Sequence, residues 1–219
     1  LRYSEGFFDR PLDRWHDLLS VGDYGRSKRP NNTFLFEVDH DGRNVITGEQ
    51  DAAGIGDVRL TLKIPVLRKE HPLSLYANVE LPTGDPRRGW GNGNPDAALA
   101  VLAETALGTV YQLTVNAGMV FPGDYRGNET VVPLRPFGYG GIALEAAWWE
   151  RVHLILQTVV QGSPYPRTGI RQVDRPGVLL TFGGRYTAGK SSIELSLTED
   201  PDTAGAPDFI AQTGWRWSF

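Results

Sequence analysis

The chain has 219 residues, a formal net charge of -4, 22% charged and 40% hydrophobic residues, and no cysteine. That length suits one barrel or sandwich domain, and the acidic balance without a basic stripe excludes nucleic acid as a partner. The missing cysteines exclude disulfides, thiol chemistry and a cysteine-ligated metal.

No run approaches the roughly 18 apolar residues of a membrane-spanning helix, and the longest candidate, residues 97–107, is broken by Glu104. A barrel strand needs only about 9–11 residues with every second one apolar. A mean hydropathy of -0.30 suits a wall with one polar face. The chain opens on Leu1 rather than Met, which reads as a mature or truncated form.

Residues 1–54 form an irregular segment. Asp9-Arg10-Pro11 followed by Leu12, Trp15, Leu18 and Leu19 predicts a short amphipathic helix over about 11–20, with Asp9 as N-cap and Gly22 as stop. Residues 33–40 alternate, Asp41-Gly42 signals a turn, and Val45 to Thr47 reads as the return arm of a hairpin.

From residue 55 onward the period is two. Strands are predicted over 56–67, 73–81, 97–106, 110–121, 137–148, 152–161, 178–187, 191–198 and 208–219. The 26 glycines and 15 prolines fall largely between these runs, as turn chemistry requires. Connections alternate short (near 69, 108, 150 and 188) and long (near 89, 129, 169 and 203), as in outer-membrane barrels with short periplasmic turns and longer external loops. Tyr111, Trp148, Trp149, Tyr186, Trp215, Trp217 and the terminal Phe219 all fall beside the short turns or at the C-terminus, at the height of an interfacial girdle. A soluble β-barrel or sandwich shows the same alternation. The loop asymmetry, the single level of aromatics and the terminal Phe219 favour an all-β transmembrane antiparallel up-and-down barrel in a bacterial outer membrane.

The stretch Gly54-Ile55-Gly56-Asp57-Val58-Arg59-Leu60, followed by Leu81-Pro82-Thr83-Gly84-Asp85, resembles a bacterial outer-membrane barrel superfamily best known as the MetA-pathway of phenol degradation family. Trp15-His16-Asp17 with Gly22 to Pro30 is similar to an uncharacterised relative whose members carry a Trp/Phe-His-Asp helix ahead of the glycine-rich strand. The resemblance covers most of the chain. It implies an outer-membrane barrel and, on the phenol side, uptake of small, often hydrophobic solutes. The closer relatives have no assigned activity and carry upstream sequence for about three more strands. Nine strands lie between residue 56 and the end. Residues 33–40 bring the visible count to ten, whereas the upstream strands bring the intact barrel to twelve with 33–49 as an external hairpin.

The polar face predicts the lumen lining: Arg59, Lys63, Tyr76, Glu80, Glu104, Gln112, Asn116, Glu145, His153, Gln157, Arg185, Glu194 and Arg216. Arg59 is predicted opposite Glu80, and a turn at Ala188-Gly189 puts Arg185 diagonal to Glu194. A barrel this size has little spare bore, so paired charges fill much of it.

His153, the one histidine in a regular strand, falls on the lumen side with no serine forced near it, which reads as a hydrogen-bonded histidine rather than a general base. Asp39-His40-Asp41-Gly42 lacks the spacing and distal Glu of a calcium loop and reads as a hairpin turn. The glycines of 84–93 lack the context of a phosphate cradle. No catalytic residue, metal or cofactor is predicted. The helix carrying Leu12, Trp15, Leu18 and Leu19 is predicted to cover the external mouth.

Three functions follow. The first is a narrow channel or uptake protein for small solutes. The second is a structural or partner-binding barrel with a sealed lumen, docking a protein through its external loops. The third, ranked last, is a lipid-modifying enzyme. The bilayer is a partner in all three.

Overall fold

The computed structural model describes Arg14, Asp17 and residues 37–48, 53–201 and 209–218. Of the predicted mouth helix, Arg14 and Asp17 are helical, while Leu12, Trp15, Leu18 and Leu19 lie outside the described residues, as does Phe219. The chain forms two compact units. One contains Leu1–Asp57, Pro82–Gly93 and Tyr125–Val132, and the other Val58–Leu81, Asn94–Asp124 and Pro133–Phe219.

The strands are β1 (Glu37–His40), β2 (Arg43–Thr47), β3 (Val58–Leu67), β4 (Leu73–Leu81), β5 (Asp96–Leu107), β6 (Tyr111–Phe121), β7 (Tyr125–Arg126), β8 (Val131–Val132), β9 (Phe137–Ala146), β10 (Val152–Gln161), β11 (Gly177–Ala188), β12 (Ser191–Glu199) and β13 (Phe209–Trp217). In the second unit nine of them form a curled sheet in the order β13-β12-β11-β10-β9-β6-β5-β4-β3. Every neighbouring pair is antiparallel. The sheet is all-β, as predicted, but among the described residues it counts nine strands and not ten. Residues 37–40 pair with 43–47 instead of joining it, which gives a separate hairpin. Pro65 sits in β3 beside a register shift. An edge strand tolerates a proline, because the missing N–H can face away from the ladder.

The two faces of the sheet separate by chemistry. Each of the nine strands presents an exposed apolar side chain on one face: Leu60, Leu75, Leu99, Val115, Ile142, Leu154, Phe182, Leu195 and Trp215. Leu60 and Leu195 are 59% and 58% exposed, and Trp215 is 70% exposed. The only buried apolar residue of this unit among the described residues is Ala146, whereas Ser74, Ser163, Thr198, Glu199 and Asp200 are buried. Period-two sequence has therefore produced a sheet that, among the described residues, has no apolar core on either side.

One predicted turn moves by a residue. β11 ends at Ala188 and β12 starts at Ser191, so the turn is Gly189-Lys190, with Gly189 at φ 61°. The displacement shifts the pairing by two, and Arg185 stands directly opposite Glu194 rather than diagonal to it. In the same unit, helix α1 (Arg171–Asp174) closes on its own loop. Asp174 accepts from Thr168 N and Oγ1, both at 2.8 Å, and from Gly169 N at 2.9 Å. The Thr168 amide, then its hydroxyl, hold the Asp174 carboxyl below its ordinary value of 3.8, with a smaller contribution from Arg135.

The other unit is organised on Asp57. Its two carboxylate oxygens accept from Gly84 N at 2.8 Å and Asn92 N at 3.3 Å. A Cβ on Gly84 would run into the Trp90 carbonyl, and one on Gly54 into the Trp90 ring. Thr83 Oγ1 donates to Gly56 O at 3.0 Å, and Arg88 stacks 5.6 Å from the Trp90 ring. The glycine-rich motif of 54–57 and 81–85 is therefore a close-packing device around one carboxylate and one indole. In the β1–β2 turn, Asp41 and Gly42 both have positive φ, as a tight hairpin with native twist requires. The 127–129 backbone joins β2 through Asn128 N to Val45 O and Glu129 N to Asn44 O, both at 2.9 Å, and Val45 is buried there.

Two outcomes follow. Asp57→Asn turns one acceptor into a donor facing an N–H. It should weaken this loop by about 1.5–3 kcal/mol, the worth of a hydrogen bond to a charged group, read as faster amide exchange at Gly84 and Asn92. Asp174 has a lowered folded pKa, so its stabilisation of the 168–174 loop is present above the ordinary carboxyl value. That stabilisation is lost as pH falls through the lowered one. The Thr168 and Gly169 amide shifts should titrate below 3.8, and Asp174→Asn should abolish the titration.

Candidate functional site

Strand pairing places all thirteen predicted lumen residues on one face of the nine-stranded sheet. One row runs Glu104, Thr114, Ala143, Gln157, Thr181 and Thr198. Its neighbours carry Asn116, then Gln112 with Glu145, then His153, Arg185 and Glu194, and last Arg216 opposite Ser192. Lys63 pairs with Tyr76, and Arg59 with Glu80.

The charges are gathered near the short turns. His153 Nδ1 lies 2.5 Å from Glu145 Oε1. Arg185 Nη1 donates to both Glu145 oxygens, at 3.0 and 3.1 Å, reaching over β10 to do so. Its Nε donates to Glu194 Oε2 at 3.0 Å. One guanidinium thus joins carboxylates on two other strands, with the imidazole as fourth member. A second cluster crosses β4, where Lys63 Nζ stands 3.6 Å from Glu104 Oε1, and Gln112 Nε2 donates to Glu104 Oε2 at 3.3 Å. The Gln112–Glu145 register pair lies between the clusters, so together they form a discontinuous charged belt. Side chains that meet across an intervening strand do so on the concave side of a curled sheet.

At the other end of the face, Arg59 Nε and Nη2 donate to Glu80 Oε2 at 2.9 and 2.7 Å, in the predicted cross-strand pair. Thr61 Oγ1 donates to Asn78 Oδ1 at 2.5 Å, and Thr181 and Thr198 share a 2.8 Å bond.

This arrangement can hold and orient charge. His153 contacts a carboxylate, but no hydroxyl is bonded to it among the described residues, so the belt offers no nucleophile–base pair. No cluster of three or more His, Asp or Glu suited to a metal occurs among the described residues. Sequence reasoning missed Asp96 and Phe137, which share the face with Arg59 and Glu80, whereas alternation already puts Tyr139 and Gln161 on this face without singling them out as lining residues. The Gly138-Tyr139-Gly140-Gly141 run was the available signal, a single large ring among residues without side chains.

Of the predicted girdle aromatics, Tyr111, Tyr186, Trp215 and Trp217 lie on the opposite face by register, and Trp148 and Trp149 follow the end of β9. Tyr111 and Trp148 are edge-to-face at 6.4 Å, Trp148 and Trp149 at 6.3 Å, and Trp215 and Trp217 tilt at 6.3 Å. Tyr186 and Trp215 flank Ile193 in one exposed row, and Trp215 Nε1 donates to Ser191 Oγ at 2.8 Å.

Arg185 is 23% exposed and Arg59 62% exposed. Arg185→Ala should lower stability by about 1–3 kcal/mol, since it strands two carboxylates. Arg59→Ala should cost no more than about 1 kcal/mol, as for an exposed pair. Thermal unfolding in detergent reads both.

No curated protein matches this sequence. Residues 1–219 match the family described as "Protein of unknown function (DUF3187)", and the chain belongs to that family.

Proposed function

We propose that the nine-stranded sheet is part of the wall of an outer-membrane β-barrel, and that its polar face lines a narrow passage for small solutes. The observation that carries this reading is the inversion of the two faces. Leucine, isoleucine, valine and tryptophan are exposed along the whole ladder, and the opposite face holds the paired charges. A soluble barrel with this period would pack Leu60, Leu75, Leu154 and Leu195 together inside. Contiguous apolar patches on soluble monomers rarely exceed a few hundred Å², so a face of this extent calls for another apolar phase.

Burying one such side chain is worth about 1.5–3 kcal/mol. Summed over nine strands, even at half that value, the gain is comparable to the roughly 5–15 kcal/mol net stability of a typical domain. Hydrocarbon outside the sheet supplies that burial, and the tryptophans beside the short turns fit the headgroup level. No helix among the described residues is long and apolar enough to cross a membrane, which leaves strands as the spanning element of this reading. The glycine-rich motif and its likeness to the phenol-degradation barrel family support the same reading.

The charged belt gives the second reading a physical basis. Arg185, with both of its carboxylates, and the Lys63–Glu104 pair occupy the bore near the short turns, which favours a lumen sealed at that level. Planar-bilayer recording separates the two. A passage gives discrete low-conductance steps, and Arg185→Ala should at least double the step by removing the central side chain of the belt. A silent wild-type protein that also fails to swell liposomes would overturn the channel reading in favour of the sealed one.

A further inference from the structure

At the end of the polar face opposite the charged belt, the second unit holds a cleft of about 400 Å³. One wall is the Arg59–Glu80 pair, and the other is Tyr139 opposite Gln161. Between them a row runs from Asn78 through Ala98 and Val120 to Phe137. The side chains at the two ends of that row are large, and Ala98 puts only a methyl group between them, which opens the hollow. Beside the cleft, Gly118 leaves room for the tyrosine ring, since a Cβ there would lie 2.8 Å from Tyr139 Cε1.

The charges of the cleft are used within the protein. Arg59 and Glu80 neutralise each other, with both guanidinium donors on Glu80 Oε2. Asp96, beside them, accepts from Gly123 N at 2.8 Å and is engaged beyond that bond. What remains open is a set of neutral donors and acceptors. Asn78 Oδ1 accepts from Thr61 Oγ1 at 2.5 Å, which leaves the Asn78 Nδ2 group to donate. The Tyr139 hydroxyl and the Gln161 side-chain amide line the cleft and form no hydrogen bond among the described residues. Each of these two can donate and accept. Phe137 adds an apolar surface on the same side. Pockets of this size, with apolar and aromatic walls and a few convergent polar groups, take small organic ligands.

We infer that this cleft binds a neutral polyhydroxy ring, the chemistry of a monosaccharide. The C–H face of the ring packs against Phe137 and Tyr139, and its hydroxyl edge meets Asn78, Gln161 and the Tyr139 hydroxyl. A hydroxyl both donates and accepts, so it matches amide and phenol partners without bringing a charge that the cleft has no free counter-charge to meet. The proposal rests on the channel reading only for the route by which the ligand arrives.

Saturation-transfer NMR on the full chain tests it, in a detergent without a sugar headgroup and with D-glucose as the titrated probe. Glucuronate and protonated glucosamine are charged controls of the same ring size, and cyclohexanol keeps a ring with a single hydroxyl. Glucose should bind at least about tenfold more tightly than each of the three, because the first two bring an unpaired charge and the third lacks the hydrogen-bonding edge. Tyr139→Phe keeps the ring, removes the hydroxyl and should weaken glucose binding about three- to tenfold, the effect of one neutral hydrogen bond. Ala98→Phe fills the hollow and should abolish binding, with unchanged far-ultraviolet circular dichroism as the check on folding. No binding of glucose, equal or tighter binding of any control, or full glucose affinity in Tyr139→Phe would each overturn the site. A protein that conducts in bilayers yet fails here leaves the channel reading standing. One that binds glucose but never conducts retains the site and loses the channel.

Discussion

Everything in the second unit depends on one geometric constraint, that successive side chains of a strand point to opposite faces. The sequence places apolar residues on alternate positions through nine strands, and pairing in register collects them on a single surface. In the nine-stranded sheet no second layer covers that surface among the described residues, so its environment decides what the protein is. In water the sheet would expose a continuous aliphatic face. In hydrocarbon the same face is satisfied, and the polar one becomes the enclosed side.

The polar face is then held to a stricter standard. Charges that line an enclosed bore lose part of their hydration and need partners. The ladder provides them by direct opposition for Arg59–Glu80 and Arg185–Glu194, and by reach across a strand for Arg185–Glu145 and Lys63–Glu104. The two ends of the face differ. Near the short turns long charged side chains fill the space, and near the longer connections alanine and glycine leave it open.

Much of this was legible in the sequence because the period is clean. Strands such as 73–81 and 152–161 are observed within the predicted bounds, and all thirteen polar positions share a face, since a face needs only parity. What parity does not fix is register. Moving the turn from Ala188-Gly189 to Gly189-Lys190 changes no face but brings Arg185 opposite Glu194. The contact of the Tyr139 ring with Gly118 needs register for the same reason, since it forms only when β9 is set beside β6. The hairpin at 37–47 was legible from its Asp41-Gly42 turn, whereas alternation alone left open whether residues 33–40 also counted as a tenth strand of the sheet. The glycine motif at 54–57 and 81–85 reads in sequence as a family mark. Its physical content is the approach of backbone to Asp57 and Trp90, which only the folded chain displays.

The central claim is that the aliphatic face meets lipid and the charged face does not. The absence of native cysteine permits a direct measurement. Nitroxide labels are placed singly on both faces of β12 by Glu194→Cys, Leu195→Cys, Ser196→Cys and Leu197→Cys in the membrane-reconstituted protein. Collision with oxygen and with a water-soluble nickel chelate is then compared position by position. The account predicts a period of two, with oxygen-accessible, nickel-shielded labels at 195 and 197 and the reverse at 194 and 196. Nickel access at 195 and 197 equal to that at 194 and 196 would contradict it.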